Sequence, residues 1–335
     1  DDLTCEITGA STDLDGDSIT YTYNWYDGSN ALQQSYANTT DTMDVFLGAG
    51  TTAGTWTCEV IASDGTDTSS TMGMIDVDSD WAGALTFTNC GQTGRTGPSQ
   101  AQCNSEYSGG LLDGYVTVTS GYQYWTVPAD GTYSITAVGA KGGGSHGGNG
   151  VEIQGEFQLT AGDILKIVVG QKGISENYTT TYTAGGGGGG TFVAFDDNTP
   201  LIVAGGGGAS SDNKLGEDAI ATETGTYTGS SGQGGAWNEG CGGAGFYGNG
   251  TETAHSGETP SSSFINGALG AIGSNGGGTG YGGFGGGGCD GYADGGGGGG
   301  YSGGDGTNSH GQGYGGGSYN IGLNPSSALG VGTSH

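Results

Sequence analysis

Short segments in which apolar and polar residues alternate follow one another through the first 79 residues of the chain, with turn residues between them. A period of two is typical of strands that bury one face. The pattern predicts strands at residues 3–7, 19–26, 43–47, 56–61 and 72–77. A succession of such short strands predicts a β-sandwich over residues 1–79.

A second group of predicted strands begins at about residue 84 and is interrupted by glycine tracts. The predicted strands are residues 85–88, 115–119, 122–127, 132–138, 151–159, 164–169, 191–195 and 201–204. The turn sequences Pro-Ala-Asp-Gly and Thr-Ala-Gly-Asp separate two pairs of them. We predict a second sandwich core over about residues 84–204, followed by a glycine-rich part over about residues 205–317.

Pure glycine runs occupy residues 185–190, 205–208, 285–288 and 295–300. Such runs are typical of flexible linkers, because glycine loses more backbone freedom on folding than any other residue. Cysteines and aromatic residues within the same region argue against a linker. Extended polyproline-II threads that lack side chains can pack side by side and pair their backbone groups. We therefore predict an ordered bundle of polyglycine threads that packs on the second sandwich, so that residues 84–335 form one domain.

The chain of 335 residues carries a formal charge of −29, with only five lysine and arginine side chains. This charge disfavours nucleic acid and anionic membrane surfaces as partners and favours cations. No apolar run approaches the ~18 residues that a membrane-spanning helix needs, so we expect no membrane insertion. Because no signal peptide precedes Asp1, we expect a mature product or a fragment of something longer.

The six cysteines are even in number and lack the close spacing of a zinc site. They indicate disulfides and an oxidising, extracellular compartment. Their order along the chain favours the pairs Cys5–Cys58, Cys90–Cys103 and Cys241–Cys289, among several possible connectivities.

The first region resembles bacterial immunoglobulin-like repeats in two stretches, LTCEITGASTDLDGDSITYTYNWY and GTWTCEVIASDG. Cys5, Trp25 and Cys58 stand in the order of the Cys, Trp and Cys of such domains, and Trp56 lies where a corner aromatic is expected. The first cysteine normally lies on the second strand, so the opening strand is missing. Two explanations stay open: a chain cut from a longer protein, or a strand supplied by a neighbouring molecule.

Alternating aspartates surround a glycine at residues 13–17 and could direct several oxygens at one Ca²⁺ ion. The candidate ligands are Asp13, Asp15 and Asp17. The segment is not an EF-hand, because Asn24 occupies the twelfth position, which requires glutamate. The alternative is a polar loop that uses aspartate and glycine for turn geometry. Apart from Ca²⁺ we expect no cofactor.

The second region resembles the glycine-rich region of anaplastic lymphoma kinase and leukocyte tyrosine kinase ectodomains and of bacterial surface proteins. The segments that carry the resemblance are YWTVPADGTYSITAVGAKGGG, LTAGDILKIVVGQKG, GGGGGGTFVAF and PLIVAGGGG. It implies a jelly-roll-like sandwich that carries polyglycine-II helices. In the receptor kinases this region helps to bind a protein cytokine, but this chain has no kinase motifs.

Aromatic residues punctuate the glycine-rich part and have two possible roles. The candidates are Trp237, Phe246, Tyr247, Tyr281, Phe284, Tyr292 and Tyr301. They could form the seam between the bundle and the sandwich, where each buried ring stabilises the fold by about 2 kcal/mol. Alternatively Tyr281, Phe284, Tyr292 and Tyr301 bind a ligand by stacking.

No catalytic motif stands out in the sequence. The glycine tracts lack the Gly-Lys-Ser/Thr ending of a phosphate-binding loop, and the four histidines have no paired serine or cysteine motif. We expect an all-β, non-enzymatic, extracellular protein of a cell or virion surface. The leading hypothesis is a structural or adhesive subunit of a surface fibre, which self-associates or contacts other surface proteins or glycans. The alternative is a receptor- or ligand-binding module, from a phage tail fibre or a kinase-like ectodomain, that recognises a protein or glycan.

Overall fold

The computed structural model describes residues 2–47, 54–77, 84–177, 183–211, 214–224, 227–236, 240–251, 259–273, 280–291, 294–307 and 310–331. The chain forms two units, Asp1–Ala84 and Leu85–His335. Both are built of β-strands, as the alternating pattern predicts, and the prediction of an all-β sandwich fold is confirmed.

Six strands make up the described part of the first unit. They are β1 (Leu3–Glu6), β2 (Thr20–Tyr26), β3 (Leu32–Thr39), β4 (Met43–Phe46), β5 (Gly54–Ser63) and β6 (Thr68–Val77). Strand β1 pairs with β4 in a two-stranded antiparallel sheet, and the second sheet has the order β3-β2-β5-β6. Strand β3 was not predicted, because its sequence Leu-Gln-Gln-Ser-Tyr-Ala-Asn-Thr is mostly polar and mostly exposed.

The core of the first unit joins its two sheets. The disulfide Cys5–Cys58 links β1 of the small sheet to β5 of the large one. Trp25 is almost fully buried, and its indole N–H donates to a carboxylate oxygen of Asp44 (2.8 Å). The rings of Phe46 and Trp56 lie 4.8 Å apart between the sheets. Trp25 and Trp56 are consequently both buried in this core.

The second unit contains eleven strands among its described residues. They are β7 (Val116–Thr119), β8 (Tyr122–Thr126), β9 (Gly131–Val138), β10 (Glu152–Leu159), β11 (Ile164–Val168), β12 (Ser175–Asn177), β13 (Thr183–Gly185), β14 (Thr191–Phe195), β15 (Pro200–Ala204), β16 (Tyr319–Asn320) and β17 (Leu323–Ala328). A six-stranded sheet has the order β16-β15-β14-β11-β8-β7, and a three-stranded sheet has the order β17-β10-β9. Strands β9 and β10 contact β14 and β15, so the two sheets form a sandwich.

One predicted strand of this unit is wrong and one helix was missed. Residues 85–88 form no strand, because the backbone of Thr88 bonds to the side chains of Tyr107 and Gln123 instead of a neighbouring strand. Helix α1 (Gln100–Tyr107) is capped at its N-terminus by Ser99, which forms a reciprocal capping box with Gln102. The disulfide Cys90–Cys103 fastens this helix to the preceding loop.

The glycine tracts are ordered and pair through their backbones with a period of three. Residues 295–301 donate in turn to residues 311–317, 185–188 and 241–244. The bonds are Gly295 to Gly311 (2.9 Å), Gly296 to Gly185 (3.1 Å), Gly297 to Cys241 (3.0 Å), Gly298 to Tyr314 (2.8 Å), Gly299 to Gly188 (2.9 Å), Gly300 to Ala244 (3.2 Å) and Tyr301 to Gly317 (2.8 Å). Three residues per turn is the geometry of polyproline II, so one thread meets three acceptor threads in rotation.

The threads pack so closely that almost no side chain fits between them. A methyl group added to Gly187, Gly297 or Gly298 would overlap a carbonyl oxygen of a neighbouring thread. The glycine runs therefore allow the backbones of neighbouring threads to approach one another closely. The disulfide Cys241–Cys289, whose two residues are fully buried, joins two of the threads.

An aromatic cluster attaches the bundle to the six-stranded sheet. Its sheet residues include Tyr122, Val168 and Phe192. Its bundle residues include Phe246, Phe264, Ala268, Phe284 and Tyr301. The two parts of the glycine-rich unit consequently share one apolar core.

Candidate functional site

The predicted calcium loop uses its first aspartate for turn geometry. One carboxylate oxygen of Asp13 accepts the backbone N–H groups of Asp15 (2.8 Å) and Asp17 (3.1 Å). The side chains of Asp15 and Asp17 are exposed. Among the described residues, no group of three or more His, Cys, Asp or Glu side chains could hold a metal ion. The carboxylate of Asp13 thus serves the turn, and calcium binding by Asp13, Asp15 and Asp17 stays a prediction.

Two of the four predicted ligand-stacking aromatics are buried in the seam. Phe284 is fully buried and Tyr301 is 7% exposed, so both side chains belong to the seam rather than to a binding face. Tyr281 is half-buried, and Tyr292, like Trp237, lies outside the described residues. The physical reason is that these rings supply the apolar surface which the glycine threads lack.

A different pair of tyrosines is stacked at the edge of the bundle. The rings of Tyr227 and Tyr314 lie 4.1 Å apart with an interplanar angle of 18°. Tyr227 is 51% exposed, while Tyr314 is half-buried. Asp305 holds the two together, because its backbone N–H donates to Tyr227 (2.9 Å) and its carbonyl oxygen accepts the N–H of Tyr314 (3.1 Å).

Burial and the charges of two carboxylates raise the pKa of one tyrosine of this pair. The pKa of Tyr314 is raised by burial, then by Tyr227 and by the charges of Glu217 and Asp305. The pKa of the Asp305 carboxyl is itself raised by burial, although the N–H of Ala236 donates to its Oδ1 (2.7 Å). We call Tyr227, Tyr314, Glu217 and Asp305 the tyrosine–carboxylate surface. Aromatic faces next to carboxylates attract cations.

The same combination occurs a second time in the unit. The rings of Tyr301 and Tyr319 are stacked 4.4 Å apart. The pKa of Tyr319 is raised by burial and then by the charge of Glu223, which accepts a hydrogen bond from Ser231 (2.9 Å). Because Tyr301 is buried, this pair exposes less ring surface than Tyr227 and Tyr314 do.

An open groove with a cavity volume of about 530 Å³ lies near the start of helix α1. Its floor includes Gly97 and Gly121, which pack against the ring of Phe284, and Leu269 lines one side. The polar side chains of its wall already bond to one another or to the backbone. These are Gln92 with Gln102, Gln102 with Ser99, and Gln100 with the backbone of Val116 and Val118. The groove therefore offers few free polar groups to a ligand.

Sequence reasoning missed the tyrosine–carboxylate surface because its members are far apart in the chain. Tyr227 and Tyr314 are separated by the disulfide-bonded threads, and no short motif contains both. The only signal was a tyrosine standing alone between glycines, as Tyr314 does.

Comparison with known proteins gives a partial match. Over 101 aligned residues the chain is 39% identical to the leukocyte tyrosine kinase receptor of Mus musculus. The alignment covers 27% of this chain and 11% of the receptor, so the chain spans a small fraction of that relative's length. No family model matches the chain, and the resemblance to bacterial immunoglobulin-like repeats stays a prediction.

The match supports part of the predicted resemblance to receptor kinases. Together with the three disulfides, it suggests a receptor-like extracellular domain. Within the described parts of the chain, none of the helical segments has the length and hydrophobicity that crossing a bilayer would require.

Proposed function

We propose that this chain is an extracellular binding module whose glycine-rich unit presents the tyrosine–carboxylate surface to a basic segment of a protein ligand. The observation that carries the proposal is the stacked pair of Tyr227 and Tyr314 beside Glu217 and Asp305. The similarity to a receptor supports a binding role, and no reaction is assigned to the chain.

The chemistry of the surface selects the class of ligand. A Lys or Arg side chain can place its charge over the exposed face of Tyr227 while a carboxylate approaches from the side. The net charge of −29 attracts a basic ligand over longer distances and repels an acidic one. Tyrosines also offer a large contact area at a small cost in side-chain entropy.

The test is calorimetric titration of the full chain with short arginine-rich, lysine-rich and glutamate-rich peptides of equal length. We expect saturable binding of the basic peptides and none of the acidic one. Tyr227→Ala and Glu217→Gln should each weaken binding about tenfold, since a cation–ring contact contributes about 1–2 kcal/mol. Tyr115→Ala and Glu152→Gln are the matched controls, because Tyr115 is 62% exposed in the same unit.

Equal loss of affinity in the two control variants would contradict the proposal. Binding would then follow from the overall negative charge of the chain and not from this surface. Binding that is unaffected by Tyr227→Ala would also contradict the proposal.

One observation favours the fibre subunit as a second candidate. Strand β6 is the edge of its sheet, and it carries the exposed side chains Met72, Met74 and Ile75. Long edge strands with exposed apolar residues tend to pair with other chains. Light scattering and electron microscopy of the purified chain should then show assemblies that Met74→Lys disrupts. Monomers at every concentration would remove this candidate.

A further inference from the structure

Lys166 is one of the five cationic side chains of the protein, and it is 9% exposed. It lies in the middle of β11, paired with Tyr124 of β8 on one side and Ala194 of β14 on the other. Its Nζ lies 4.2 Å from the centre of the Tyr122 ring and 4.9 Å from that of Phe264. The amine is thus enclosed by the aromatic seam.

The polar contact of this amine is an amide. Its Nζ donates to Oδ1 of Asn198 at 2.8 Å, in the turn between β14 and β15. A buried ammonium that lacks a carboxylate partner is unfavourable, and burial accordingly lowers the pKa of Lys166. Loss of a proton converts the ammonium into a neutral amine, which is a nucleophile.

Backbone hydrogen bonds fix the position of Asn198 in this turn. The N–H of Asn198 donates to Phe195 (3.0 Å), Phe195 donates to Thr199 (2.9 Å), and Asp196 donates to Ile164 of β11 (3.0 Å). The backbone φ of Asn198 is +67°, in the left-handed region, which asparagine tolerates. Because both partners are fixed by backbone pairing, the amine stays within reach of the carboxamide carbon.

We propose that Lys166 and Asn198 form an intramolecular amide cross-link in the mature protein. Nζ of Lys166 attacks Cγ of Asn198, the Nζ–Cγ bond forms, and the Cγ–Nδ2 bond breaks. The neutral amine carries two protons, of which one stays on the new amide and the other leaves with Nδ2 as ammonia. Atoms and electrons balance without an oxidant, a reductant or any co-reactant.

Two titratable groups lie in the elements next to Lys166 and Asn198, and either could carry the proton between the two nitrogens. Tyr124 stands opposite Lys166 in β8, and Asp196 begins the turn that carries Asn198. The pKa of Tyr124 is raised by burial and then by the charge of Asp196, so the two groups interact. The hydroxyl of Tyr122 is already engaged, since it donates to Phe264 and accepts from Gly267.

The cross-link would join a central strand to the turn of the β14–β15 hairpin, beside the seam that supports the bundle.

Mass spectrometry of the reduced full chain tests the cross-link. We expect a mass lower than that of the sequence by one ammonia, and a branched peptide in which residues 166 and 198 are joined. Lys166→Met and Asn198→Gly should each abolish the loss, glycine being suited to the positive φ at residue 198. Lys141→Met should retain it.

Ammonia loss from another asparagine, such as Asn149 before Gly150, would persist in Lys166→Met and would give no branched peptide. A wild-type chain whose residue-166 and residue-198 peptides are recovered completely unlinked overturns the proposal. This result is decided on the wild-type protein alone, so it does not depend on the folding of any variant.

Discussion

The backbone N–H of Gly298 donates to the carbonyl oxygen of Tyr314 at 2.8 Å. This bond ties the central glycine thread to the tyrosine whose ring supports the exposed face of Tyr227. The bundle therefore positions the candidate surface through its backbone. A change that separates the threads is expected to disturb the surface as well.

Replacement of Gly298 by alanine tests the packing of the bundle. The added methyl group would overlap the carbonyl oxygen of Gly206, and backbone cannot move aside as a flexible side chain can. Overpacking of this kind costs about 3 kcal/mol, so we expect the melting temperature of the glycine-rich unit to fall by about 6–12 °C. Amide hydrogen exchange in residues 295–301 should quicken at the same time.

Gly131→Ala is the matched control for that variant. Gly131 lies in the same unit, where an added methyl group would be 3.8 Å from the nearest atom, in the ring of Tyr133. We expect a change within about 0.5 kcal/mol. Rapid exchange throughout residues 295–301 of the wild-type protein would contradict the ordered bundle itself.

The sequence was sufficient to predict most strands and the ordered bundle. Alternating residues located β2 and β5, and the runs of glycine left close backbone packing as the alternative to disorder. The positions of β3 and of the segment before helix α1 could not be predicted, because side chains from distant residues decide them. Thr88, for example, is held by Gln123, which no local pattern connects to it.

The candidate surface could not be predicted for a similar reason. Stacking of Tyr227 on Tyr314 depends on how the threads are arranged in the bundle, and that arrangement is set by backbone bonds between nearly identical glycines. Glycine runs carry no side-chain information about which thread lies beside which. The sequence identifies the tyrosines, but it does not predict which residues lie beside them in the bundle.

Removal of two disulfides in separate variants should give unequal losses of stability. Cys241 and Cys289 are separated by 48 residues, whereas Cys90 and Cys103 are separated by 13. The chain-entropy model gives about 4 kcal/mol for the longer loop and about 3 kcal/mol for the shorter one. Double alanine variants compared by chemical denaturation measure both. A larger loss for the pair Cys90–Cys103 would show that loop length does not set the order of the two losses.

Asp305→Asn should stabilise the protein at neutral pH. Burial raises the pKa of the Asp305 carboxyl in the folded state, so folding favours the protonated form. The stability that this group contributes is present at pH values below its unfolded pKa and is lost as the pH rises through the raised folded pKa. Asparagine stays neutral and keeps an oxygen that can accept the N–H of Ala236.

The measurement is the free energy of unfolding as a function of pH for both proteins. The difference between Asp305→Asn and the wild type should be positive near pH 7 and should shrink as the pH falls below about 4, near the ordinary aspartate pKa. Asp113→Asn, an exposed aspartate in the same unit, is the control. A pH-independent difference would mean that the Asp305 carboxyl titrates alike in the folded and unfolded chain.

Tyr122 should make the fold sensitive to alkaline pH. Burial of its hydroxyl in the seam raises its pKa to about 12, and this effect outweighs the hydrogen bond from the N–H of Gly267, which lowers the pKa. The folded state therefore holds the phenolic proton more tightly than the unfolded state does. The corresponding stability is complete below about pH 10, the ordinary tyrosine value, and is lost as the pH rises toward 12.

Tyr122→Phe separates this effect from the hydrogen bonds. The variant should lose about 1 kcal/mol at neutral pH, since the hydroxyl bonds disappear while the ring remains in the cluster. Between pH 10 and 12 the gap between variant and wild type should close and then reverse, because the wild type loses stability on ionisation while phenylalanine has no proton to lose. Tyr115→Phe, at an exposed position, should leave the stability profile unchanged. If the gap instead stayed constant with pH, the Tyr122 hydroxyl would be titrating like that of an exposed tyrosine, and the seam would be open to water.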